Sequence, residues 1–262
     1  MTWMTEAAEP PEVLTERRDS VLVITINRPA AKNAVTAGVA TGIAAALDEL
    51  DYSDELRAGV LTGAGGTFCA GMDLKGFLRG ESPVVKGRGF AGLTMAPPRK
   101  PLIAAVEGWA LAGGFEILLA CDLVVAAETA KFGVPEVKRA LVAGAGGALL
   151  LPQRIPLGAA LELLLTGDPA TARRAYELGL VQRLTPEGGA LDEAVRLATT
   201  IAANGPLAVA VTKQIARSAA SWPAEEGWRQ QAKRIEPVFA SEDSREGATA
   251  FAEKRAPVWK GR

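Results

Sequence analysis

Residues 102–126 read LIAAVEGWALAGGFEILLACDLVVA, and the alternation inside this stretch decides the fold class. Leu102 to Val106 is a short, bounded apolar run, the pattern of a strand buried on both faces. A glycine-bearing connection follows, Gly113 to Ala120 starts a helix, and Leu123 to Ala126 is again a buried strand. Upstream, Val13 to Ile26 alternates and then turns β-branched, with Asp19-Ser20 between, which predicts a hairpin leading into a strand over Val21 to Ile26. Asn27-Arg28-Pro29 stops it, because proline donates nothing to a ladder. Between Thr36 and Leu50 the residues Val39, Ile43, Ala46, Leu47 and Leu50 share one helical face. Ala58 to Thr62 is a further buried strand, closed by the loop Gly63-Ala64-Gly65-Gly66. Strand and helix therefore alternate through the first two-thirds of the chain, and the expectation is an α/β structure of right-handed crossovers around parallel strands.

Beyond about Gly158 the pattern changes. No convincing strand is visible, and amphipathic segments begin near Leu157, Ala170, Ala190, Pro206 and Trp222. Ser241 followed by Glu242 and Asp243 sets an N-cap and two acids at the start of a last helix, Glu242 to Lys254. The final third is expected to be mainly helical.

Composition removes several function classes. The formal net charge of −1 gives no bulk attraction to nucleic acid or to an anionic membrane. Met1 to Pro11 has neither a basic head nor an apolar centre and reads as a frayed tail, and no apolar run is long enough to cross a bilayer. Cys69 and Cys121, the only cysteines, fit a reducing, cytoplasmic location and no disulfide scaffold. The chain has no histidine, which excludes Ser-His-Asp and Cys-His catalysis and removes the commonest metal ligand. Proton transfer without a metal then falls to carboxylates, Lys, Tyr, Cys or water.

Three glycine clusters, 63–66, 113–114 and 144–147, lie near strand-to-helix junctions, where bare N–H groups face a cleft. None has the spacing of a nucleotide-binding loop. Glu116 sits in an otherwise apolar first helical turn, where a carboxylate is costly unless it is paired, caps its helix or does chemistry. Glu136 follows Phe132-Gly133-Val134-Pro135, in a loop between the fourth strand and the Gly144 segment, and taken alone reads as a surface loop acid.

Five segments in order resemble the crotonase (enoyl-CoA hydratase/isomerase) superfamily: Asn27-Arg28-Pro29 with Asn33-Ala34; Leu61 to Leu74; Ala110 to Glu116 followed by Cys121-Asp122-Leu123; Phe132 to Glu136 with Gly144-Ala145-Gly146-Gly147; and Ala252 to Arg255. The resemblance runs from about residue 20 to the end and implies a crotonase-like core of repeated β-β-α units. Residues 12–200 would form that core with its acyl-CoA site, and residues 201–262 a helical trimerisation region. It further implies that the backbone N–H groups of Met72 and Gly113 form an oxyanion hole, with Asp73, Leu74 and Lys75 continuing the substrate wall. Glu116 and Glu136 match the two glutamates of the family's hydratases, Glu136 as the acid and Glu116 as the base that orients water, with Gly144 helping to hold that water. Lys254, together with Arg28 or Lys32, would meet the CoA phosphates.

The expected enzyme is an enoyl-CoA hydratase without metal or separate cofactor, CoA being part of the substrate, and assembled as a trimer or dimer of trimers. An isomerase, a specialised acyl-CoA dehydratase and a non-catalytic acyl-CoA-binding protein are the alternatives. Two departures stand out: Ala143 occupies a position that is proline in many hydratases, and Gly76 to Arg99, expected over the acyl pocket, matches nothing in the family.

Overall fold

A computed structural model describes residues 10–262, so most of the expected N-terminal tail lies outside the described residues. The chain opens with the hairpin β1 (Val13–Arg18) and β2 (Val21–Ile26), paired antiparallel, with Asp19 at φ 52° in the turn. Helix α1 (Ala37–Tyr52) is capped by the Thr36 hydroxyl, which accepts from the Val39 N–H, and buries the predicted stripe. Then come β3 (Ala58–Gly63), the short helix α2 (Leu74–Leu78) and a small hairpin, β4 (Val84–Val85) with β5 (Gly89–Phe90).

Next follow two similar units. The first is β6 (Leu102–Val106), β7 (Trp109–Leu111) and α3 (Gly113–Ala120); the second is β8 (Leu123–Ala127), β9 (Lys131–Gly133) and, after a 3₁₀ turn at Pro135–Arg139, α4 (Gly147–Arg154). In each, the first strand joins the main sheet and the second a smaller one. The main sheet runs β1-β2-β3-β6-β8 and ends on a sixth strand, every pair after the first hairpin being parallel. In the smaller sheet β7 and β9 are parallel, and the expected repeated β-β-α core is thus present.

Period-2 alternation splits the main-sheet strands between two apolar layers. Leu22, Ile24 and Ile26 face α1 and α3, while Val21, Val23, Val60, Ile103 and Val125 face a long helix of the last third. That third contains α5 (Leu157–Thr166), β10 (Ala170–Thr171), α6 (Ala172–Glu177) and β11 (Arg183–Thr185), then α7 (Ala190–Ala202), α8 (Pro206–Ser218), α9 (Gly227–Phe239) and α10 (Glu242–Glu253). Two strands here correct the strand-free expectation. β11 completes the main sheet and β10 pairs with β9, but stretches of three and two residues are too short to display a period. Helix α7 places Ala190, Ala194 and Ala198 on the sheet. Helices α8 and α9 pack on each other and bury no residue completely.

One ion cluster ties α8 to the sheet. The Asp122 carboxylate meets Lys213 Nζ and Arg217 Nη1, each at 2.6 Å, and accepts from the Leu102 N–H at 2.8 Å. Lys213 also donates to the Pro98 and Lys100 carbonyls. Burial holds its ammonium below the usual lysine pKa while Asp122 pulls the other way. Removing one partner of a buried pair costs on the order of 3 kcal/mol or more, because the other charge is stranded. Asp122→Ala should lower unfolding stability by that order in a denaturant titration, and a loss under about 1 kcal/mol would show a solvent-screened pair.

Candidate active site

The site grows out of the repeat. Cys69, Ala110 and Phe132 stand side by side across successive turns, through the parallel bridge Cys69–Ala110 and the pairing Ala110–Phe132. Residues three or four positions beyond each of them, Met72, Gly113 and Glu136, therefore emerge at the same end of the stack. Three sequence motifs far apart in the chain are thereby brought around one opening.

The Met72 segment is held from both sides. Val35 N–H donates to Gly71 O at 2.8 Å and Asp73 N–H to Val35 O at 3.0 Å, which leaves the intervening Met72 N–H without an acceptor among the described residues. Asn33, fully buried, donates to the Ala64 and Thr67 carbonyls and accepts from the Arg28 N–H, anchoring the preceding glycine loop. Gly71 has φ 104°, and an added Cβ would stand 3.2 Å from the Gly113 nitrogen; the two loops touch there and only glycine fits.

At Gly113 the helix start supplies a second free N–H. Ala112 before it adopts φ 51° and ψ −127°, a sparsely populated conformation for a residue with a Cβ, and its N–H is tied to Gly133 O at 2.9 Å. This sharp turn, which no residue pattern announced, swings α3 so that its N-terminus faces the opening. Gly114 packs against Cys69 O, where a Cβ would come within 2.2 Å.

Glu116 is buried, and its Oε1 accepts the Gly147 N–H at 2.8 Å. It caps α4 and not its own helix, a tertiary link that a local capping argument misses. Burial, reinforced by the Glu136 charge, pushes its pKa up to about 7, against the pull of the Gly147 and Ala145 N–H groups. Glu136 lies in the 3₁₀ turn and not in an open loop; its carboxyl pKa is raised above the ordinary value by burial, and its buried Oε2 has no hydrogen-bond partner among the described residues.

Both carboxyls, with Met72, Gly113, Gly144 and Leu74, line one cavity of about 390 Å³. Its remaining wall is largely apolar, including Leu141, Val142 and Phe90, so the unmatched segment 76–99 does reach the pocket through Phe90. Larger depressions beside α10 and along α8, of about 470 and 560 Å³, bring no second pair of carboxyls with raised pKa together.

The other candidate residues do not line this cavity. Arg28 is engaged with Glu12 at 2.8 Å and Asp73 at 2.9 Å, and Asp73 accepts the Lys75 and Gly76 N–H groups as the N-cap of α2. These two side chains brace the segment that carries Met72. Lys32, Lys75 and Lys254 are exposed, Lys254 in the left-handed position that ends α10.

A carboxyl whose pKa is raised by folding stabilises the fold below its unfolded pKa and loses that contribution as pH rises through the folded value. For Glu116 the window runs from 4.5 to about 7. At roughly 1.4 kcal/mol per pKa unit, the ionised form above this window costs on the order of 3 kcal/mol. Glu116→Gln should therefore gain stability relative to the unsubstituted protein by a few kcal/mol between pH 5 and 8, read from unfolding midpoints. A pH-independent difference would show that Glu116 titrates normally.

The family profile described as enoyl-CoA hydratase/isomerase matches residues 16–262. Enoyl-CoA hydratase EchA19 of Mycobacterium tuberculosis is 43% identical, with 96% of this chain and 97% of the relative covered. Carnitinyl-CoA dehydratase of Salmonella typhi is 41% identical over 94% of this chain and 97% of its own length. The crystal structure of enoyl-CoA hydratase EchA1 from Mycobacterium marinum superposes with a TM-score of 0.95 at 58% identity, covering 97% of this chain and 100% of that one. With its stacked repeat, its two facing loops and its matched length, the chain belongs to the enoyl-CoA hydratase/isomerase family.

Proposed function

We propose that the protein is an enoyl-CoA hydratase that adds water across the 2,3 double bond of a trans-2-enoyl-CoA. The observation that carries this reading is the convergence of the buried Glu116, the half-buried Glu136 and two free backbone N–H groups on one largely apolar cavity.

The thioester oxygen binds between the Met72 and Gly113 N–H groups. As hydroxide adds to C3, charge flows to that oxygen, and two fixed donors stabilise it more than they stabilise the starting thioester. The start of α3 adds a positive dipole end. The two carboxyls, close enough to feel each other's charge, resist joint ionisation and share one proton near neutrality. Glu116, oriented by the Gly147 N–H, takes a proton from the water that attacks C3; Glu136, whose pKa burial raises, delivers a proton to C2. Gly144 N–H helps hold the water. The proton then returns from Glu116 to Glu136, and no group beyond the substrate's own CoA enters the cycle. Lys32, Lys75 and Lys254 offer exposed cations to the CoA phosphates.

A trimer or dimer of trimers, in the cytoplasm, completes the proposal. Its support is the pair α8 and α9, which bury no residue fully and leave Trp228 and Phe239 exposed.

Two glutamates favour hydration over isomerisation, which runs on one. Dehydration of a specialised hydroxyacyl-CoA is the same chemistry reversed, and the carnitinyl-CoA dehydratase relative keeps it as the second reading. Loss of the enone absorbance across a series of trans-2-enoyl-CoA chain lengths tests the proposal. Turnover of at least one member with formation of the 3-hydroxyacyl-CoA is expected; binding without turnover across the series would make the chain an acyl-CoA-binding protein.

A further inference from the structure

The cavity holds one charged residue that the proposed reaction does not use. Arg139 ends the 3₁₀ turn Pro135–Arg139 and is one of the cavity's lining residues. In a 3₁₀ helix residues three apart eclipse one another, so Arg139 projects from the same face as Glu136. The turn is closed behind it by Ala140 at φ 54°, whose N–H returns to Glu136 O and Val137 O, fixing Arg139 against the catalytic segment. Its neighbour Lys138 is neutralised by Asp168 at 2.5 Å, whereas Arg139 makes no ion pair and no side-chain hydrogen bond among the described residues. The guanidinium is close enough to Glu136 to pull its carboxyl pKa down against the larger effect of burial.

Around this cation the wall is apolar: Leu74, Phe90, Leu141 and Val142. Leu141 and Val142, two and three positions further on, are 59% and 73% exposed, so this is the open, solvent-reaching side of the cavity. A guanidinium in such a place presents a planar fork to a carboxylate and repels a quaternary ammonium.

We propose that Arg139 is a specificity residue that pairs with an anionic terminus on the acyl chain, so that the site prefers carboxylated acyl-CoA thioesters and disfavours carnitine-like, cationic ones. This rests on the reading of the cavity as the acyl site and sets the chain apart from its carnitinyl-CoA dehydratase relative by the charge of its substrate.

The same fork would also accept a CoA phosphate, and saturated, unreactive ligands separate the two sources. Calorimetric affinities of CoA, butyryl-CoA, glutaryl-CoA, adipyl-CoA and γ-butyrobetainyl-CoA are compared for the unsubstituted protein, Arg139→Gln and Arg139→Lys. The expected result is that glutaryl-CoA or adipyl-CoA binds about tenfold tighter than butyryl-CoA, and γ-butyrobetainyl-CoA more weakly than either. Arg139→Gln should erase both differences with CoA affinity unchanged, and Arg139→Lys, a point charge without the fork, should keep part of them. Preferences that survive Arg139→Gln overturn the proposal. So does an equal loss for every ligand including CoA, which would place the guanidinium on a phosphate. Because none of these ligands turns over, failure of the hydratase reading would appear only in the enone assay.

Discussion

Glu136→Gln and Glu116→Gln should each slow hydration of a short enoyl-CoA by at least about a hundredfold, the lower range for losing a general acid or base. The two substitutions keep volume and remove the titrating group, so affinity for CoA itself should change little. Their pH profiles should also change. The unsubstituted protein needs one proton on the pair, which gives a bell-shaped rate with macroscopic pKa values belonging to both carboxyls. The upper limb should lie near the Glu116 value of about 7, where burial resists ionisation. Either single variant breaks that sharing and should lose one limb. A variant that keeps more than half of the original kcat is not a proton carrier, and the assignment of hydration to this pair would fail.

The second large effect concerns Met72, whose contribution is assigned to its backbone. A thioether is a weak acceptor and cannot stabilise an oxyanion. Met72→Ala should retain most activity, with a changed preference for acyl length, since the side chain lines the cavity. Met72→Pro deletes the N–H and should cost on the order of a hundredfold or more in turnover. Proline also restricts the residue before it, and Gly71 at φ 104° lies outside the conformations usual there. The comparison therefore counts only for a variant with unchanged circular dichroism and CoA affinity. Near-normal turnover in a folded proline variant would move the oxyanion hole elsewhere, and an inactive alanine variant would give the side chain a chemical role.

What could be read from the residues, and what could not, divides along a physical line. β2, β3, β6, β8 and α1 were legible because a strand buried on both faces must be apolar throughout and a helix on a sheet must carry a stripe. The small sheet of β7, β9 and β10, and the closing strand β11, were not, since strands of two or three residues leave no period. The residues around the cavity, Met72, Gly113, Glu116, Glu136 and Gly144, came from motif resemblance together with the cost of an acid in an apolar turn. Their arrangement came from the register of a repeat, which one sequence does not display. The Glu116–Gly147 hydrogen bond spans 31 positions, and the Ala112 turn places an unfavourable φ on a residue whose type gives no warning. Arg139 had a local signal after all, its position three residues beyond Glu136, but that spacing becomes a shared face only in a 3₁₀ turn. Arg28 and Asp73, grouped with substrate-binding residues by the resemblance, also hold each other across 45 positions, a contact that no local spacing displays.

Addition of water at C3 under the control of Glu116 and Glu136 is read directly from the fate of solvent oxygen. Crotonyl-CoA incubated with the protein in ¹⁸O-labelled water should give 3-hydroxybutyryl-CoA carrying one label in the C3 hydroxyl, by mass spectrometry, with formation collapsing in Glu116→Gln. An unlabelled product with its double bond moved, or recovery of crotonyl-CoA unchanged from a complex that binds it, would contradict the account.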